Sequence, residues 1–183
     1  MGKAATRSGR VNSGSLYPRG DGMRVRFVIL IGVIFSICGA ALVHASPKDI
    51  AASKERQDKM RDMGSAFKAI HDELTKSKPD WDNVILPDAD TVQSRSSYLL
   101  NWFPKGSGPE AGAKTYALPI IWQKQDDFTR LGKTAAAEAS KLKDVVAKRN
   151  LDAANAQYIV LGKACKACHD TYRSPDYEKD NDD

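Results

Sequence analysis

Cys165-Lys166-Ala167-Cys168-His169 is the stretch on which the interpretation of this chain turns. On a helix, positions i, i+3 and i+4 share a face, so both thiols and the imidazole project together. Two thiols so placed can form thioethers to the vinyl groups of a haem while the adjacent imidazole ligates the iron, which is a c-type haem attachment site. Two other chemistries use the same residues. A redox C-x-x-C expects a preceding strand and an α/β pattern, and the residues before Cys165 read as helix. A structural zinc site needs about four ligands, and the chain has three histidines and three cysteines. If residues 1–45 are removed, as argued below, only His71 could join the cluster. Two core cysteines beside an unrelated histidine would need three coincidences. Haem attachment is the expectation.

The chain has 183 residues, enough for one domain. It lacks long alternating β-branched runs, and its second half is rich in Ala, Lys, Asp, Leu and Gln, which favours helix. The formal charge of +5 belongs to the N-terminus. Residues 1–45 hold six of the 28 Lys+Arg and one of the 23 Asp+Glu, which leaves 22 of each from Ser46 onward. With no basic surplus to track phosphates, nucleic acid is excluded as a partner.

Met23-Arg24-Val25-Arg26 is a basic segment, Phe27 to Ala41 is mostly apolar, and Val43-His44-Ala45 ends in a small residue before Ser46. This is the pattern of a secretory signal peptide over 23–45. The apolar run is short for a membrane span of roughly twenty residues, so no span is expected in the mature form; an uncleaved anchor is the second interpretation. Residues 1–22 read as an N-terminal extension, with Met23 as an alternative start. Removing the leader removes Cys38 and leaves only the haem pair. Haem attachment would then follow export, which for a bacterial leader means the periplasm.

The mature chain, 46–183, reads as four amphipathic segments. The first runs from about Pro47 to Ser77 with Ile50, Ser53, Gln57, Met60, Gly64, Phe67, His71 and Leu74 inward. Pro79-Asp80-Trp81 breaks it. The second runs from about Asp88 to Phe103 with Val92, Leu99 and Phe103 inward. Pro104 to Pro109 is loop. The third runs from near Leu118-Pro119 to about Arg149 on a stripe of Ile121, Phe128, Leu131, Ala135, Leu142 and Val145. The fourth runs from Asn150 to Ser174-Pro175 on Leu151, Ala154, Tyr158, Leu161, Cys165, Cys168 and Tyr172. Four such helices with short connections predict an all-α, antiparallel up-down-up-down bundle around covalently bound haem. The first and last helices are then antiparallel neighbours.

Iron bound by His169 has a second axial position. Of the four methionines, only Met60 and Met63 follow the leader, and both lie in the first helix. Met60 is on the inward stripe and Gly64, one turn later, leaves room for a flat ring, so Met60 is the candidate distal ligand with Met63 as runner-up. Both also fit ordinary core packing. His71 lies three turns from Met60 and reads as a core or boundary histidine.

These features resemble the class II cytochromes c, the group of cytochrome c′ and cytochrome c-556. The haem motif continues to Tyr172-Arg173. Arg56-Gln57 precedes Met60 by four residues, Phe103-Pro104-x-Gly106 closes the second helix, and Pro119-Ile120-Ile121-Trp122 then Phe128 open the third. The resemblance implies one haem c, thioethers at Cys165 and Cys168, His169 as proximal ligand, and Arg56 and Gln57 near the haem propionates. It places Arg173 near the proximal histidine; Trp122 and Phe128 are expected to pack the bundle. Met60-Arg61-Asp62-Met63-Gly64 looks more like the c-556 pattern. The expected function is one-electron transfer with His/Met ligation and no enzymatic turnover. The alternative is a five-coordinate haem that binds NO or CO. Redox partners are not specified by the sequence; a homodimer is consistent with the resemblance.

Overall fold

The computed structural model describes residues 46–179. The leader expected over 23–45 and the extension before it lie outside these residues. Four long helices, α1 (Pro47–Leu74), α2 (Leu86–Tyr98), α4 (Gln125–Val146) and α5 (Leu151–Tyr172), carry the fold; α3 (Ile120–Gln123) and α6 (Asp176–Lys179) are short.

Local signals set the ends. Ser46 Oγ accepts from the Lys48 N–H at 3.2 Å, Pro47 occupies the first turn and Asp49 meets the positive end of the helix dipole. Asn150 caps α5 by accepting from the Ala153 N–H at 2.9 Å. The expected break after α1 is shorter than the prolines suggest. Helical structure resumes at Trp81 as a π turn, Trp81–Ile85, capped by Asp80. The Ile85 N–H donates to Asp80 O at 3.1 Å, and the wide turn brings the chain to Pro87, which has no N–H to place. Glu73 closes the connection: its buried carboxylate accepts from the Asp80 N–H at 2.9 Å and pairs with Lys76.

Contacts between helices fix their directions. Early α1 meets the 3-10 turn that follows α2, Leu99–Trp102 (Arg56 on Trp102), and later α1 meets α2 itself (Asp62 with Arg95, 2.6 Å). Asp127 near the start of α4 accepts from Tyr172 at the end of α5, and Glu138 further along accepts from Gln157. Phe67 and His71, late in α1, meet Tyr158, early in α5. The bundle is therefore up-down-up-down. α5 packs closely on α4, α4 on α2 and α2 on α1, whereas α1 and α5 approach each other less closely.

One core cluster draws on all four helices: Ala66, Ile70, Leu74, Ile85, Ala89, Val92, Ala139, Leu142, Val146, Ala154 and Leu161. Ile70, Ile85, Leu142 and Leu161 are fully buried, and each contributes about 1.5–3 kcal/mol. A second cluster, centred on Ile121, Phe128 and Tyr172, lies at the end of the bundle that carries the cysteine motif. Gly132 allows α4 to meet the 3-10 turn after α2 there, since a Cβ would lie 2.6 Å from Leu100 Cδ2. Gly106, at φ +88°, takes a conformation that an L side chain would strain.

The stripes expected for the last three segments are largely inward, but that of α1 is displaced. Ile50 is 44% exposed, and Gly64 and His71 are exposed. The buried stripe is Ser53, Arg56, Ala66, Ile70, Glu73 and Leu74. α1 has two working faces. One meets α2 and the core; the other carries Phe67 and His71, which meet Tyr158 of α5, with Met60 and Gly64 at the preceding steps of the same stripe.

Candidate functional site

Cys165, Cys168 and His169 lie on the last two turns of α5, all half-buried. Neither cysteine is in a disulfide. Cys165 packs against the four-helix core and Cys168 against the second cluster, so the motif sits where the two cores meet. Burial raises the Cys165 thiol and pushes Cys168 up to about 11. Burial, followed by the charge of Arg173, pushes His169 down to about 4. At neutral pH the face presents two intact thiols and an uncharged imidazole, the donor set that thioether formation and metal ligation require. Among the described residues no group of three or more His, Cys, Asp or Glu is arranged to hold a metal ion, which leaves a bare zinc site without ligands. No strand precedes the motif among these residues, as a thioredoxin-like site would need.

The α1–α5 register gives the level of this motif. Phe67 stacks on Tyr158 with centroids 4.1 Å apart and planes 12° from parallel. A Cβ at Gly162 would stand 3.7 Å from Phe67 Cζ. From that contact His169 is seven residues onward in α5 and Met60 seven residues back in α1. In antiparallel helices equal steps keep level, here about 10 Å at 1.5 Å per residue. Seven residues is also two turns, so facing is preserved. By this count Met60 and His169 fall at about the same level on the two helices. A Cβ at Gly64, one turn from Met60, would meet nothing within 4 Å.

The two methionines differ. Met63 packs against the main core, and Ser96 Oγ donates to its sulfur at 3.5 Å. Met60 is half-buried and belongs to neither core cluster.

Arg56 and Gln57 are turned to the segment after α2. Arg56 is 3% exposed. Its Nη1 donates to Trp102 O and Ser107 Oγ at 3.1 and 2.9 Å, and its Nη2 to Ser53 Oγ, Ser107 O and Thr115 Oγ1 at 3.1, 3.0 and 3.1 Å. It also lies 4.8 Å from the centre of the Phe103 ring. Burial pushes it down to about 10, against the pull of Glu110, so it stays charged at neutral pH. Both terminal nitrogens serve this chain, which makes Arg56 a brace inside the protein. Gln57 Nε2 donates to Lys114 O at 2.8 Å.

The sequence pattern missed the segment that receives these bonds. Ala117 forms an antiparallel bridge with Arg173; the Leu118 N–H donates to Tyr172 O at 3.0 Å and the Ser174 N–H to Tyr116 O at 2.7 Å. Residues this irregular carry no periodic signal. Asp127, which accepts from Tyr172 Oη at 2.8 Å, also escaped notice. Phe128, as expected, packs: it meets Phe103 at 4.8 Å and Tyr172 at 5.1 Å, edge to face. The Trp122 indole donates to Phe103 O and Pro104 O.

Residues 51–173 match the family described as Cytochrome C′. A cytochrome c-554 from Cereibacter sphaeroides is 33% identical over 107 residues, 56% of this chain and 78% of that protein. A cytochrome c-556 from Agrobacterium tumefaciens is 30% identical over 122 residues, 66% of this chain and 94% of that protein. Among solved structures, a nitric oxide complex of a variant cytochrome c prime from Alcaligenes xylosoxidans superposes with a TM-score of 0.63 at 25% identity, covering 70% of this chain and 98% of that one. The chain belongs to the cytochrome c′ family, four-helix proteins that carry one covalently bound haem c.

Proposed function

We propose that this protein is a periplasmic one-electron carrier with His/Met axial ligation, in which Cys165 and Cys168 form the two thioethers, His169 is the proximal ligand and Met60 the distal one. The observation that supports it is the register across the α1–α5 gap, which sets Met60 level with His169 while the Met63 sulfur is engaged by Ser96. Bound haem supplies an iron that exchanges one electron between Fe(II) and Fe(III). The neutral His169 nitrogen donates its lone pair without first losing a proton. A thioether from Met60 favours the reduced state and raises the potential. The positive charge of Arg173, close enough to depress His169, acts in the same direction. Ile121, Phe128 and Tyr172, with Cys168 against them, keep water from one side of the motif. Arg56 and Gln57 remain our candidates for the propionate vicinity, Arg56 through its charge; their side-chain nitrogens also hold the segment after α2. The role is electron transfer without substrate turnover.

A second function, capture of NO or CO by five-coordinate haem, is favoured by the open space around Gly64. Absorption spectra of the purified reduced protein with and without CO separate the two. A low-spin spectrum unchanged by CO supports the carrier; a high-spin spectrum that shifts at once supports gas capture.

A further inference from the structure

We infer that residues 104–118 form a strap that sets the spacing of the two ligand-bearing helices, and that Arg56 is its positioning residue. This rests on the assignment of Met60 and His169 as the axial pair.

Three sets of contacts make the strap. On α1, one turn before Met60, the Arg56 fork grips Ser107 by side chain and backbone and Thr115 by its hydroxyl, and Gln57 holds Lys114 O. Within the segment, Ser107 is fully buried and its hydroxyl donates to Pro104 O at 2.8 Å, while Thr115 Oγ1 accepts from the Ala117 N–H at 3.2 Å. On α5, the bridge at Ala117 and Arg173, with the flanking bonds from Leu118 to Tyr172 and from Ser174 to Tyr116, begins three residues after His169. The segment thus ties the turn before Met60 to the turn after His169, where α1 and α5 make little direct contact. Among the described residues the ring contacts between α1 and α5, Phe67 and His71 on Tyr158 with Phe67 also over Gly162, lie two turns or more away. With these contacts at a distance and one strap at the site, the strap sets the width of the gap. Arg56 suits this position because its fork holds five donors in a rigid planar array that spans several fixed acceptors, whereas an ammonium offers three donors from a single point.

The test uses the haem-loaded protein with Arg56→Lys, which keeps the charge and loses the fork, and Thr115→Val, which removes one acceptor on the strap. Three quantities are read: hydrogen exchange at the Leu118 and Ser174 amides, the spin state, and the CO affinity of the reduced form. Both variants should retain helix content, exchange faster at those two amides and bind CO about tenfold more tightly, equal to about 1.4 kcal/mol of lost distal ligation. Unchanged exchange overturns the strap. Faster exchange with wild-type spin state and CO affinity overturns its control of the gap. Should Arg56→Lys fail to fold, Thr115→Val decides alone. If Met60→Ala itself leaves the spectrum intact, the ligand assignment has failed and control of ligation fails with it, whereas the exchange result still supports or overturns the strap.

Discussion

The Phe67–Tyr158 stack carries the register argument, so its removal is the most informative perturbation of the fold. The rings are 4.1 Å apart and nearly parallel, and Phe67 also covers Gly162. Truncating a fully buried Phe costs about 3–5 kcal/mol. Phe67 is half-buried, and roughly half of that, about 2 kcal/mol, is expected for Phe67→Ala. Part of the loss is specific to the pair, because stacked rings are worth about 0.5–1.5 kcal/mol beyond the area they bury. A double-mutant cycle with Tyr158→Ala, read by urea unfolding of the haem-loaded protein, isolates that part. The coupling should fall within this range, and the single variant should also lose some low-spin character as the α1–α5 spacing relaxes. A coupling indistinguishable from zero would mean that the two rings do not hold the helices together, and the level assigned to Met60 would lose its support.

Two further outcomes follow from the packing and the charges. Leu142→Ala empties a fully buried position shared by the helices of the main core and should cost about 2–5 kcal/mol in denaturant unfolding, without altering the haem spectrum. Acid should unfold the protein through its hydrogen-bonded carboxylates. The Asp80 N–H, followed by Lys76, holds Glu73 below its ordinary 4.5, and the Asn83 amide groups hold Asp80 below 3.8. A depressed acid stabilises the fold above its unfolded value and loses that contribution as pH falls through its native one. The contribution of these two carboxylates should therefore be level near neutrality and decline below about pH 4.5; Glu73→Gln should flatten that part of the decline, and an unaltered acid limb in that variant would count against the assignment.

The sequence disclosed the bundle because three of its four stripes obey one simple rule: apolar residues recur every three or four positions and face a core, as Leu151 to Tyr172 do. The same rule misplaced the buried face of α1, because a helix beside a cofactor site has two inward faces. Met60, Gly64 and Phe67 belong to the open face; Ile70 and Leu74 belong to the packed one. Buried charge was invisible for a related reason. Arg56 and Glu73 look like surface residues in a pattern, and their burial depends on acceptors and donors brought by distant segments, Ser107 and Thr115 for one, Asp80 for the other. The motif Cys165-x-x-Cys168-His169 was legible because its chemistry is local to one helix. On the opposite side of the iron the sequence offered Met60 ahead of Met63 from the helical stripe, and the register of α1 on α5 is a second argument for the same proposal. The strap was not legible at all, since its bonds run mostly through backbone and hydroxyl groups.

The most direct measurement compares the absorption spectra of the oxidised and reduced haem-loaded protein with those of Met60→Ala and Met63→Ala. The account predicts a low-spin wild type, conversion to a high-spin, CO-binding form on Met60→Ala, and a wild-type spectrum with a modest loss of stability on Met63→Ala. A Met60→Ala protein that stays low-spin, or a Met63→Ala protein that turns high-spin, would contradict it.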